Sequence, residues 1–186
     1  MRLGVYYDPS RTVWISGNQM HIRMFRATSW IHSAAVLPRA AMSMMYGKYV
    51  ERFRVTPGSS PGYKSAHLLW PATAPLGDEV DFPEGPWSSS FCVFVHSAQE
   101  TGQRNFCPGR AWTSWHTSEI EWTPGSLKFY LDGRKIGAVT GRWVPHQPMA
   151  WIIQNESALG GEQAPAHSSA QINISEVAVY SYQGKR

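Results

Sequence analysis

The chain has 186 residues, 42% of them hydrophobic and 13% aromatic, enough to bury one sizeable core and consistent with a single domain over residues 1–186. Its formal charge is +4, but the 17 Lys and Arg are scattered without a block of like charge, which argues against nucleic acid as a partner. No segment approaches the ~20 apolar residues that span a bilayer and residues 1–9 carry no run of signal-peptide length, so a soluble chain without membrane insertion is expected.

Apolar residues recur with period two or in short runs, interrupted by Gly, Pro, Ser and Asn, and no 3.6-residue period of helical length appears. The first predicted strands are residues 12–15 and 19–26, joined at Ser16-Gly17-Asn18, where Gly and Asn supply the positive φ angles of a tight hairpin. Strands 49–55, 66–70, 79–82 and 90–96 follow. Next come 116–122, 127–131 and 135–138, with Asp132-Gly133 as the turn between the last two, and finally 150–154 and 170–182. The stretch 158–169, rich in Gly, Ala, Pro and Ser, reads as a mobile loop. Many short strands without crossover helices predict an all-β fold, a jelly-roll β-sandwich of two stacked antiparallel sheets.

Nine Trp and eight Tyr exceed the needs of a core this size, and because their N–H or O–H groups require partners, some are expected to line a cleft. Cys92 and Cys107 are the only cysteines; a disulfide and two buried thiols are both open.

The acidic run Glu79-Val80-Asp81-Phe82-Pro83-Glu84 carries the chemistry. In a regular strand Glu79 and Asp81 share one face and Glu84 points to the other. A β-bulge near Phe82-Pro83 would bring Glu84 round, and proline, lacking an N–H, is tolerated in sheets mainly at bulges and edges. Carboxylates converging on one face push their pKa values apart, so that one stays ionised while another keeps a proton, the requirement of glycoside hydrolysis. Retaining chemistry needs the two working carboxyls ~5–5.5 Å apart, whereas Cα atoms four strand positions apart lie ~13 Å from each other, so both Glu side chains must lean inward.

The same run has the Glu-x-Asp-x-x-Glu spacing of glycoside hydrolase family 16, in the concanavalin A-like lectin/glucanase superfamily. Its flanks fall in the family's order: Tyr46-Gly47-Lys48-Tyr49 with Arg52, Gly62-Tyr63, Leu68-Leu69-Trp70-Pro71, Trp115-His116-Thr117, Glu121-Trp122-Thr123-Pro124-Gly125 and Phe129-Tyr130-Leu131-Asp132-Gly133. The chain resembles the family from about Val13 to Tyr180 and is expected to be shortened at its N-terminus relative to it.

This resemblance implies a concave glycan-binding cleft and a retaining, endo-acting hydrolase of a β-linked polysaccharide, a β-glucan or a bacterial envelope glycan. By position Glu79 is the nucleophile, Glu84 the general acid/base and Asp81 the residue that tunes the nucleophile. No cofactor is implied, and an extracellular or virion-associated setting fits the family better than the cytoplasm. The alternative is a non-catalytic carbohydrate-binding or structural module assembled into a larger complex such as a phage particle.

Tyr63, Trp70 and Trp115 are candidates for stacking on sugar rings, whose C–H faces are apolar, while Trp122 and Trp151 are assigned to the core. His96 ends the strand beside the acidic one and can hydrogen-bond a carboxylate or a sugar hydroxyl. His67, where many relatives carry an aromatic residue, would exchange stacking for hydrogen bonding. Gln154 and Glu156 share a face by period two, and Gln154 is the candidate for a sugar hydroxyl. The histidines form no compact ligand pattern, and no metal site is expected.

Overall fold

The computed structural model describes residues 4–56, 61–75, 77–157 and 162–184. Its strands are β1 Gly4–Tyr7, β2 Val13–Ser16, β3 Gln19–Arg26, β4 Trp30–Ser33, β5 Ala35–Val36, β6 Gly47–Val55, β7 Tyr63–Pro71, β8 Glu79–Pro86 and β9 Ser90–His96. They continue as β10 Arg104–Ala111, β11 His116–Thr123, β12 Ser126–Leu131, β13 Arg134–Thr140, β14 Met149–Ser157 and β15 Ser169–Ser181. Of the three short helical turns among the described residues, α1 Pro9–Thr12 occupies the residue at which the first predicted strand begins, and the others are 3₁₀ turns at Arg39–Ala41 and Gly141–Trp143. Residues 158–161 of the predicted loop lie outside the described residues; its remainder precedes β15 without regular structure.

Two sheets pack face to face. The larger has nine strands in the order β1-β4-β3-β15-β6-β11-β12-β13, with β2 also on β3; the smaller has six, β10-β9-β8-β7-β14-β5. The pairing is antiparallel except between β1 and β4, which run parallel, a departure from the fully antiparallel expectation. Both predicted tight turns form with two successive positive φ angles, Gly17-Asn18 between β2 and β3 and Asp132-Gly133 between β12 and β13, the type I′ geometry that matches strand twist.

Four strands had no counterpart in the sequence reading. β1, β4 and β5 are too short, at 4, 4 and 2 residues, to establish an alternation, and β10 contains Pro108-Gly109, which reads as a turn. The core fills the space between the sheets with Phe53, Phe82, Phe91, Phe129, Trp122 and Trp151, none more than 2% exposed. The two tryptophans assigned to the core are therefore there. Alternate residues of the six-stranded sheet face outward and build the cleft floor.

Candidate active site

β8 lies inside the six-stranded sheet, between β7 and β9. Val80 and Phe82 point into the core, at 0% and 1% exposure, which puts Glu79 and Asp81 on the outer face. Opposite them on β9, Asp81 pairs with Phe94 and Glu84 with Cys92, so three steps along β8 match two along β9. The same shift appears against β7, where Leu68 faces Asp81 and Ala66 faces Glu84. The extra residue is the bulge expected at Phe82-Pro83, and it brings Glu84 onto the face of Glu79. Gly85 completes the bend: its φ is +153° and an added Cβ would meet the Ser90 carbonyl at 2.9 Å, so a side chain there is excluded.

The outer face opens into a cleft of about 460 Å³ lined by Glu79, Glu84, Lys64, Trp70, Gln154 and Glu156. Ala66, Leu68 and Ile152 supply apolar floor between them. Asp81 lies beneath, 1% exposed, and shares a hydrogen bond with Glu79. Burial pushes the Asp81 carboxyl well above the usual carboxylate range, reinforced by the charges of Glu79 and Glu84, with Lys64 opposing. Burial also raises Glu79; His96 and the hydrogen bond from Asp81 oppose that rise, and Glu84 adds to it. Of the two carboxyls, Asp81 is the more strongly raised, and their shared hydrogen bond raises Asp81 while lowering Glu79.

Glu84 is held from β7. Lys64 Nζ lies 2.6 Å from Glu84 Oε1 and 3.4 Å from Glu156 Oε1, and Gln154 Nε2 donates to Glu156 Oε2 at 3.1 Å. Lys64 is raised despite a desolvation that acts the other way, because both carboxylates stabilise its charge. His96 stands directly opposite Glu79 on β9. Glu79, Asp81 and His96 each bring one potential ligand atom within 4.8 Å of the others, a set able to take a metal only with both carboxyls ionised.

Three sequence-predicted contacts do not reach this cleft. Outward residues of β7 are Lys64, Ala66, Leu68 and Trp70, so Tyr63 and His67, at odd steps from them, face the interior. Tyr63 is 1% exposed and donates its hydroxyl to the Ser168 carbonyl at 2.8 Å. His67 is fully buried, with Nδ1 2.8 Å from Glu51 Oε2 of β6. Trp115 sits on the outer face of the nine-stranded sheet, where the guanidinium carbons of Arg52 and Arg54 lie 4.5 and 4.9 Å from its ring centre. Trp70, His96 and Gln154 do stand on the outer face of the six-stranded sheet. Lys64, missed in the sequence, was legible there by counting even steps back from Trp70.

Cys92 and Cys107 form a disulfide, S–S 2.04 Å, tying β10 to the β9 residue opposite Glu84.

Fold and site together define a jelly-roll sandwich whose cleft is lined by closely set carboxyls, the residue set suited to glycosidic bonds. The model of the glycosyl hydrolases family 16 matches residues 8–175, and the chain belongs to that family. No curated protein matches it by sequence. Among solved structures it resembles the laminarinase from Rhodothermus marinus, with 22% identity and a TM-score of 0.79 over 95% of this chain and 84% of that one. The laminarinase catalytic domain from Thermotoga maritima is 16% identical, TM-score 0.77, covering 97% and 84%. A non-specific endo-β-1,3(4)-glucanase of the same family, co-crystallised with 1,3-β-D-cellobiosyl-cellobiose, is 18% identical, TM-score 0.78, covering 96% and 80%. At these identities the likeness is one of fold.

Proposed function

We propose that the protein is a retaining, endo-acting hydrolase of β-linked glucan, with Glu79 as nucleophile, Glu84 as general acid/base and Asp81 as the group that holds and tunes Glu79. One observation carries this reading: the bulge at Phe82-Pro83 turns Glu84 onto the outer face that already bears Glu79. Glu79, hydrogen-bonded by Asp81, would attack the anomeric carbon in its ionised form while Glu84 protonates the departing oxygen. Glu84 would then take the proton from the water that releases the glycosyl-enzyme. Trp70 offers a ring for stacking, and Gln154 an amide for a hydroxyl. The laminarinases and the endo-β-1,3(4)-glucanase among the structural relatives support β-1,3 or mixed β-1,3/1,4 glucan as the first substrates to try.

A binding-only role is the second reading, favoured by the 2.6 Å contact of Lys64 on Glu84. An ion pair stabilises a carboxylate, whereas the first half of the reaction needs a proton there. Incubation with laminarin and mixed-linkage glucan, following new reducing ends, separates the two. Product release by the parent chain and not by Glu79→Gln is expected; binding without product in either protein sinks the hydrolase.

A further inference from the structure

A second cavity, of about 560 Å³, opens beside β10, the edge of the six-stranded sheet, where it meets the β12–β13 hairpin of the other sheet. Phe106, Leu131 and Ile136 give it apolar walls, and Arg110, Arg134 and Lys135 give it positive charge. Its acid, Asp132, is already engaged: Oδ2 lies 2.8 Å from His116 Nδ1 and Oδ1 accepts the Thr117 N–H at 2.8 Å. Arg110 contributes to the field on Asp132, yet neither it nor Arg134 nor Lys135 enters an ion pair of 4.0 Å or less among the described residues. The cavity therefore holds cations without matching anions.

It is also built, not a mere gap between side chains. Between Phe106 and Arg110, β10 has two residues more than β9 has between Val93 and Phe91, so Cys107-Pro108-Gly109 bulges outward as a wall. The Phe106 ring is seated on Gly137, where no side chain would fit. Cys107 lines the cavity and is bonded to Cys92, which stands opposite Glu84. Measured along the sheet, Glu84 and Cys107 are thus about two strand spacings apart, ~10 Å, and Phe106, opposite the core residue Val93, lies on the other face of β10, so a glycan joining the two sites would turn round the β10 edge.

We infer that this cavity is an anion-recognising subsite, which takes a sugar bearing a carboxylate or a sulfate ester from the polysaccharide whose neighbouring units lie in the cleft. The inference rests on the glycan-cleft reading above. Guanidinium groups match the paired oxygens of both anions, Phe106 can meet the apolar face of a pyranose, and the volume falls in the ~300–1,000 Å³ range of ligand sites.

The test is calorimetric titration of the full chain carrying Glu79→Gln, which leaves ligand intact, at about 0.15 M salt to screen long-range attraction. The probes are a β-1,3-glucan oligosaccharide, its C6-carboxylated form and its sulfated form. At least one charged form should bind about tenfold tighter than the neutral one, a difference of about 1.4 kcal/mol. The double change Arg134→Gln/Lys135→Gln should bring that ratio to about 1–2, while the charge-matched Arg39→Gln/Arg142→Gln keeps it. No preference for either charged form, or equal loss in both double variants, overturns the subsite. Which charged form is preferred identifies the anion. Turnover of the neutral oligosaccharide by the parent chain is scored separately, so its absence removes the hydrolase and leaves the binding ratio readable.

Discussion

Two carboxyls are buried close together and answered in opposite ways. Glu51, on β6, reaches across the sandwich to His67, while Asp81, on the outer side of β8, meets Glu79 with Glu84 nearby. His67 lies between Ala66 and Leu68, the residues that flank the bulge, so the two arrangements sit back to back across one sheet. Inside, an acid is matched with a base and the pair joins the sheets. Outside, an acid shares a hydrogen bond with a second acid and lies near a third, with Lys64 only partly opposing their charge, an arrangement that lowers stability. Burial alone does not set the state of a carboxyl; the groups around it do.

The largest effect should come from removing the proposed nucleophile on the outer face. On the proposed function, Glu79→Gln is expected to lower glucan turnover by about 10³-fold or more, with stability little changed, as read by reducing ends and thermal melting. The inner pair should respond in reverse. Glu51→Leu or His67→Leu alone strands a buried polar partner and should cost about 3–5 kcal/mol, whereas both changes together should recover most of it. Urea titration reads this, and equal costs for the single and double variants would show that the pair is not coupled.

A smaller effect is expected at the disulfide: Cys92→Ser opens a bridge spanning 15 residues and should cost about 2–4 kcal/mol in urea. Asp81→Asn then sharpens the contrast between the two faces. The Asp81 carboxyl is raised above its ordinary 3.8 in the fold, so its contribution to stability is full below pH 3.8 and declines as pH rises through the folded value. Asn has no proton to lose, so the variant should match the parent at low pH and exceed it by about 0.5–2 kcal/mol at neutral pH. Turnover should meanwhile drop about tenfold or more through the lost tuning of Glu79. Melting curves across pH decide this, and a parallel fall of both proteins would contradict it. The smallest change belongs to Trp115→Ala, on the far sheet, where turnover should move by less than about twofold.

Period-two patterning and turn chemistry made most of the long strands legible, β3 and β9 to their last residues, and the position of Pro83 pointed to the bulge. The errors came from applying the pattern unevenly. Tyr63 and His67 stand at odd separations from the outward Trp70, so period two alone places them on the opposite face. Trp115 precedes a strand of the other sheet, and no local signal tells which sheet an isolated tryptophan joins. The Glu51–His67 pair depends on how two sheets stack, a long-range fact that neither strand carries in its own pattern. β10 was hidden by the Pro108-Gly109 that builds its bulge.

The bulge at Phe82-Pro83 also has the character of parity. A strand sorts its residues into odd and even, and one additional residue exchanges the classes for everything downstream. Deletion of Pro83 would leave Glu84 two steps from Asp81 in a regular strand and still outward; with Pro83 present, only the bulge lets Glu84, five positions from Glu79, share its face. An odd spacing between two carboxyls on one face is therefore made possible by a residue that carries no charge, donates no proton and drops out of the alternation.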